Sequence, residues 1–139
     1  MTAAHPAGDT AEGGLAGMLA ELIDQNLARD PARRRFLARP LRAVIEVPDA
    51  RVRASVRVDR TGLVDVRPGD DPAATVRVRA DGMKVLGLAA VPLRFGLPDV
   101  RTVDGRAVVR DLASGAIRVR GLLLHLSDIR RLLGLLSAR

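Results

Sequence analysis

The first segment of the chain has apolar residues at every third or fourth position. Between residues 14 and 28 these positions hold Leu15, Met18, Leu19, Leu22, Ile23 and Leu27. Charged and amide side chains fall between them, so the spacing predicts an amphipathic helix over residues 14–28. Asp30 and Pro31 then fit an N-cap and a first helical residue, which predicts a short second helix that continues through Leu37.

Between residues 41 and 80 the hydrophobic period changes from about 3.6 to two. Apolar and polar positions alternate over residues 41–47, 52–58, 63–67 and 75–79, and again over residues 117–120. These alternations predict five strands, separated by turns rich in Pro, Gly and Asp. The short connections predict antiparallel neighbours, with one apolar sheet face and one face rich in arginine.

Helical patterns return after the fourth strand. Asp81 is predicted to cap a helix that Pro92 ends, and residues 93–98 are predicted to be irregular. Asp104 is predicted to cap a further helix that stops at Gly115.

Leucine dominates the last predicted helix, over residues 122–136. Its apolar stripe consists of Leu122, Leu126, Ile129, Leu133 and Leu136, and Leu132 and Leu135 widen it. This is more apolar surface than docking alone requires, which suggests an apolar cavity. Plain core packing and a homodimer interface are the alternative interpretations.

Composition limits the class of protein. The length of 139 residues favours one domain, predicted over residues 14–139 after a flexible tail at residues 1–13. Hydrophobic residues make up 47% of the chain but aromatic residues only 1%, so aliphatic side chains must fill the core. Aliphatic walls suit acyl chains or fused apolar rings. With neither a signal-peptide pattern nor a long apolar run, the sequence predicts a soluble cytoplasmic protein.

Candidate catalytic residues are few. Cysteine is absent, and the two histidines are His5 and His125, far apart in the sequence. His125 is interpreted as a partly buried residue bonded to backbone or to Asp128, and Asp70 and Asp71 as carboxylates that cap their own turn. No phosphate-binding loop or metal-ligand spacing is present, so we expect no enzymatic activity, no metal and no cofactor.

Arginine supplies all but one of the 23 basic residues, and the net charge is +7. The predicted arginine face carries Arg51, Arg53, Arg57, Arg77, Arg79, Arg118 and Arg120, and a further run occupies residues 33–35. A solvated face partly neutralised by Glu46, Asp49, Asp59 and Asp65 is the favoured interpretation. Contact with an anionic membrane or an acidic partner is the second. Nucleic acid is the least favoured, because only Phe36 and Phe95 are aromatic.

Two segments together have a familiar form. Residues 71–78 read DPAATVRV, and residues 114–121 read SGAIRVRG directly before the leucine-rich helix. In this order the chain resembles the sterol carrier protein 2 family over residues 41–136. The resemblance implies an α+β fold in which a five-stranded, mostly antiparallel sheet is covered on one face by helices. It also implies a tunnel between sheet and helices for fatty acyl chains, sterols or other lipids.

The hypothesis is therefore a non-catalytic lipid-binding or lipid-transfer domain that buries an apolar ligand. The alternative is a non-catalytic interaction or regulatory domain with a filled tunnel. The predicted partner is an apolar lipid-like ligand. Transient contact with an anionic membrane surface and formation of a homodimer are the further alternatives, and nucleic acid is not expected. The predicted ligand-binding residues are Met83, Leu86, Leu88, Phe95, Leu97, Leu122, Leu126, Ile129, Leu133 and Leu136.

Overall fold

The computed structural model describes residues 11–85, 93–94, 97–121 and 125–137. Its helices are α1 (Ala11–Arg29), α2 (Val103–Ser114) and α3 (Leu126–Leu136), with 3-10 helices at Pro31–Leu37 and Pro48–Ala50. Its strands are β1 (Leu41–Val47), β2 (Val52–Val58), β3 (Val64–Pro68), β4 (Val76–Ala80), β5 (Leu93–Arg94), β6 (Leu97–Pro98) and β7 (Ile117–Arg120). The predicted α+β class and the five main strands are confirmed.

The main sheet has the strand order β3-β2-β1-β4-β7. Three of its neighbouring pairs are antiparallel, but β1 and β4 run parallel, with Ile45 opposite Val78. The sheet is therefore mostly antiparallel, as predicted, and β1–β4 is the parallel pair within it. One edge of β1 is already paired with β2, so β4 joins the free edge, and Thr75 N donates to Arg42 O there at 3.0 Å.

The connection from β3 to β4, residues 69–75, has to pass β2 and β1 to reach its position; we call it the crossing segment. Asp71 accepts hydrogen bonds from the Arg42 guanidinium at 2.8 and 2.9 Å, and Asp70 accepts one from Arg77 at 2.7 Å. Both arginines lie on the sheet face away from the helices, which we call the open face. The crossing segment therefore runs over the open face, and Val44 on that face is fully buried.

The opposite face of the sheet is covered by helices and holds the apolar core. Alternation sends Ala43, Ile45, Val56 and Val66 to this face, and all four are buried. Helix α1 packs on β2 and β3, whereas α3 makes its main contacts with α1 and with the 3-10 helix Pro31–Leu37. Helix α2 packs against β7.

The predicted helix boundaries are partly confirmed. Asp30 caps the helix after α1 by accepting from Ala32 N at 3.2 Å, but that helix is 3-10 rather than α. Helix α1 begins at Ala11, inside the predicted tail, and of the helix predicted after Asp81 the structure describes residues 82–85 as helical.

The start of α2 and the segment before it differ from the prediction. The N-cap of α2 is Thr102, whose hydroxyl accepts from Gly105 N at 2.9 Å, so the prediction of Asp104 as the cap is wrong. Asp104 lies in the first turn, where a carboxylate also favours the helix dipole. The helix ends as predicted at Gly115, which has a φ of 81°. The segment predicted to be irregular contains the paired strands β5 and β6.

Candidate ligand-binding cavity

A cavity of about 320 Å³ lies between α1, α3 and the sheet. Its lining consists of Met18, Leu19, Glu21, Leu22, Gln25, Ile45, Val78, Val85, Leu132, Leu133 and Leu136. All but two of these side chains are apolar, and the volume falls within the usual range of small-molecule sites, roughly 300 to 1,000 Å³. The cavity is therefore suited to an apolar body with at most a small polar end.

The floor of the cavity is formed by the two parallel strands. Ile45 of β1 lies directly opposite Val78 of β4, and the period of two sends both side chains to the helix-covered face. Val85, in the helical residues that follow β4, adds to the lining. β-Branched side chains on neighbouring strands give a smooth surface that offers dispersion contacts and no hydrogen bonds.

One wall of the cavity is the flank of α1. Met18 and Leu22 line it at i and i+4, while Leu19 is almost fully buried behind them. Glu21 and Gln25 stand at the exposed rim, where Gln25 Nε2 donates to Glu21 Oε1 at 3.2 Å. The rim thus offers both a carboxylate and an amide to a polar group at the end of a ligand.

The other wall is α3, which contributes Leu132, Leu133 and Leu136. Polar side chains from the first part of the chain fix the end of this helix. Asn26 Nδ2 donates to Leu135 O at 2.8 Å, and Arg33 Nη1 donates to Gly134 O at 3.2 Å and to Ser137 O. These donors bind carbonyl groups that the end of a helix leaves without an intrahelical partner.

Arg131 fixes the middle of α3. It is buried, and its guanidinium donates to Phe36 O at 3.0 Å, to Pro40 O at 3.2 Å and to Arg39 O. A Cβ on Gly134 would lie 2.3 Å from the Phe36 ring, so glycine is needed for the helix to approach this closely. These contacts hold α3 against the 3-10 helix.

The predicted ligand-binding residues have different positions. Leu133 and Leu136 line the cavity, whereas Ile129 is buried in the core outside the lining. Met83 is 79% exposed and Leu126 is 38% exposed, and neither lines the cavity. Leu97 lies in β6. Leu86, Leu88, Phe95 and Leu122 lie outside the described residues. The ligand contacts of all ten stay predictions.

The predicted stripe of the last helix is displaced around the helix axis. In α3 the residues buried against the core are Ile129, Leu132, Leu135 and Leu136, while Leu133 is only partly buried. Sequence reasoning missed the wall from α1 and the floor from Ile45 and Val78. The amphipathic pattern of α1 contained a usable signal, because its apolar arc includes Met18 and Leu22 as well as the fully buried positions.

Several charged residues serve structural contacts. Arg33, predicted with its neighbours as part of a basic run, is buried against the end of α3. His125 Nδ1 lies 3.9 Å from Asp128 Oδ2, at ion-pair rather than hydrogen-bond distance. Asp128 instead accepts hydrogen bonds from Arg131 at 3.2 Å and from Thr75 at 3.1 Å.

The two adjacent aspartates cap their own turn as predicted. Asp71 N donates to Asp70 Oδ1 at 2.9 Å, and Ala73 N donates to Asp71 Oδ1 at 3.0 Å. The hydrogen bonds from Arg42 hold the pKa of Asp71 below its ordinary value, and the hydrogen bond from Arg77 lowers the pKa of Asp70 in the same way. Within the described ranges, no three His, Cys, Asp or Glu side chains converge as metal ligands would. No described helix combines the length and apolar character needed to cross a bilayer.

Comparison with known proteins identifies the fold. No family model and no curated protein matches the sequence. Among solved structures, a ubiquinone synthesis protein described as UbiJ-SCP2 superposes with a TM-score of 0.58 at 20% identity, covering 86% of this chain and 90% of its own. A stereoselective inverting sec-alkylsulfatase, Pisa1 from Pseudomonas sp., superposes with a TM-score of 0.53 at 14% identity; the match covers 94% of this chain but only 17% of the sulfatase. The chain therefore has the sterol carrier protein 2-like fold expected from its sequence.

Proposed function

We propose that the protein is a non-catalytic lipid-binding domain that encloses an acyl, isoprenoid or fused-ring body in the cavity between α1, α3 and the sheet. The observation that carries this proposal is the cavity itself, a space of about 320 Å³ with aliphatic walls between α1, α3 and the sheet. Transfer of an apolar ligand into such a space stabilises the complex by roughly 25 cal/mol for each Å² removed from water.

The lining favours binding over chemistry. Of the described lining residues, only Glu21 and Gln25 carry polar side-chain atoms, and both stand at the exposed rim. A reaction would need a nucleophile, base or electrophilic group beside the buried part of the ligand, where the lining supplies only hydrocarbon and the thioether of Met18. The ligand would therefore lie with its apolar part inside and a polar end at Glu21 and Gln25.

The structural relatives support the class of ligand. The UbiJ-SCP2 protein is named for ubiquinone synthesis, and ubiquinone is itself a lipid. In the sec-alkylsulfatase the region with this fold makes up 17% of a longer chain. These names support an apolar ligand but do not choose between an acyl chain, a sterol and an isoprenoid quinone, so all three belong in the test.

The test begins with native mass spectrometry of the purified protein before and after delipidation. A fluorescent fatty acid, a fluorescent sterol and a ubiquinone analogue are then titrated into the delipidated protein. We expect a co-purifying lipid mass and saturable binding of at least one probe. Replacement of Leu22 by Phe should fill the cavity and weaken binding about tenfold or more.

Leu63→Phe is the matched control, because Leu63 is exposed and lies outside the cavity lining. Its affinity for the probe should equal that of the wild type. A folded protein with no bound lipid and flat titrations at tens of micromolar would reject the proposal. It would favour an interaction or regulatory domain with a filled tunnel.

A further inference from the structure

The open face of the sheet carries a second concave region, opposite the cavity. A groove of about 340 Å³ is lined by Glu46, Arg77, Arg79, Arg118, Val119 and Arg120, and we call it the arginine groove. It lies where β4 and β7 form one end of the sheet. Alternation along β4 sends Val78 into the cavity and Arg77 and Arg79 into the groove, so one strand contributes to both.

Strand register brings like charges together in the groove. Arg77 lies directly opposite Arg120, and Arg79 lies directly opposite Arg118. Directly opposed residues on antiparallel strands have Cβ atoms about 4.5 to 5.5 Å apart, and like charges in such positions destabilise the sheet. Two such pairs side by side form a locally unfavourable arrangement that an anion between the guanidinium groups would relieve.

The carboxylates near the groove leave most of this charge uncompensated. Arg77 lies 2.7 Å from Asp70 and 3.4 Å from Glu46, and both contacts are made by its Nη1. The other three arginines of the groove, Arg79, Arg118 and Arg120, are exposed, and none forms an ion pair with a residue in the described part of the chain. Positive charge is thus concentrated at the β4–β7 end of the face.

The rest of the open face is different. There Arg42 is paired with Asp71 at 2.8 Å, Arg67 with Asp65 at 2.6 Å and Arg53 with Asp70 at 3.9 Å. Arg57 is the exception: it is exposed and lies between Arg42 and Asp65 in the register. The crossing segment also lies over β1 and β2 on this face, so the arginine groove is bounded on one side and is not part of a flat, uniformly basic plane. This confinement favours a compact anion over an extended polyanion, which needs a long positive track and usually aromatic stacking.

We propose that the arginine groove binds a phosphate-bearing small ligand through Arg79, Arg118 and Arg120. The planar guanidinium group matches phosphate oxygens with paired N–H donors, and several such groups can share one phosphate or diphosphate. Arg77 is held by Glu46 and Asp70 and forms the border of the site. The proposal does not depend on lipid binding, because the groove and the cavity lie on opposite faces of the sheet.

The test measures the binding of inorganic pyrophosphate to the full chain, by calorimetry and by changes in amide chemical shifts. We expect saturable binding with one site per chain, shifts centred on β4 and β7, and weaker binding as salt is raised. The double variant Arg79→Gln/Arg118→Gln should bind at least about tenfold more weakly. The matched control is Arg34→Gln/Arg60→Gln, which removes the same charge at exposed positions outside the groove and should bind as the wild type does.

Two outcomes would overturn the proposal. Equal weakening in both double variants would mean that only net charge matters. Absence of saturable pyrophosphate binding would overturn the proposal as well. If vesicles containing anionic lipid or a single-stranded RNA bind in that case, the face is assigned to an extended polyanionic partner. Arg120→Gln is the second test variant if circular dichroism shows that Arg79→Gln/Arg118→Gln is unfolded. Binding of the fluorescent lipid should be retained in all of these variants, which separates failure of this proposal from failure of the lipid-binding one.

Discussion

On the helix-covered face, the helix layer is built differently over two sides of the sheet, the β2–β3 side and the β1–β4 side. Over β2 and β3, α1 packs directly on the strands, and residues such as Ile23, Val56 and Val66 are fully buried. Over β1 and β4 the layer leaves the cavity, with Ile45 and Val78 as its floor. Both sides use the same aliphatic residue types, so composition does not explain why one is filled and the other is not.

The difference lies in how each helix is held. Helix α1 is held mainly by apolar contact with β2 and β3. Helix α3 is held in addition by directional hydrogen bonds. Asn26 of α1 and Arg33 donate to backbone carbonyls of α3, and Arg131 of α3 donates to Phe36 O in the 3-10 helix. Directional bonds fix the position of the helix relative to the groups that it contacts. A cavity can thus persist in a small domain when polar contacts position one of its walls.

The largest effect is expected on the packed side. Ile23→Ala removes a fully buried side chain from α1 that does not line the cavity, so it loses transfer free energy and leaves a new void. We expect the free energy of unfolding to fall by about 2 to 5 kcal/mol, as measured by urea denaturation. A loss near that of a surface substitution would contradict the assignment of this side as closely packed.

The next effect concerns the polar contacts of α3. Arg131→Met keeps most of the side-chain length but removes the donors to Phe36 O and Pro40 O. Loss of a charged hydrogen-bonding group typically costs about 1.5 to 3 kcal/mol. We expect a destabilisation of about 2 to 3 kcal/mol, with altered affinity for the lipid probe. Arg130→Met is the control, since Arg130 is exposed on the same helix. Equal effects of the two substitutions would show that the bonds of Arg131 do not position the cavity wall.

A smaller effect is expected at the cavity wall. Leu133 is only partly buried and already faces open space, so Leu133→Ala loses fewer contacts than a core substitution does. The expected cost is about 1 kcal/mol in the delipidated protein, together with a measurable loss of lipid affinity. A cost of several kcal/mol with unchanged affinity for each folded molecule would place Leu133 in the core and not at the cavity.

The smallest effect is expected on the open face, at the ion pair between Arg42 of β1 and Asp71 of the crossing segment. Asp71→Asn removes the carboxylate that Arg42 holds, and we expect a loss of stability at pH 7 smaller than that of Leu133→Ala. Because the folded state lowers the pKa of Asp71, its contribution is present above the unfolded pKa of about 3.9 and is lost as the pH falls through the lower folded value. The difference in stability between wild type and variant should therefore be constant near neutrality and should disappear below about pH 4. A difference that persists in acid would assign the effect to the turn and not to the ion pair.

Much of the fold could be predicted from the sequence because alternation and helical spacing report which side of an element is buried. The bounds of β1, β2 and β7 follow directly from their apolar positions. The parallel pairing of β1 with β4 could not be predicted, because periodicity carries no information on which strands are neighbours. The cavity floor depends on that pairing, so Ile45 and Val78 were missed with it.

The arginines show a second limit of sequence reasoning. A run such as residues 33–35 predicts surface charge, yet Arg33 is buried because backbone carbonyls at the end of α3 accept its hydrogen bonds. Those acceptors are backbone carbonyls, which every residue type provides, so they leave no signal in the sequence. They come within reach of Arg33 only in the folded chain. Helical spacing did place Leu133 and Leu136 on the predicted apolar stripe, and both line the cavity, although the buried stripe is displaced from the predicted one.

The bond from Asn26 to Leu135 joins residues 109 positions apart. The two walls of the cavity therefore come from segments separated by nearly the whole domain, and during synthesis the first wall leaves the ribosome long before the second. Contacts of such high sequence separation form late and slowly, because a long loop must close first. We therefore expect the flank of α1 that faces α3 to stay uncovered until α3 has been synthesised, and to be open to chaperones and to self-association in that interval.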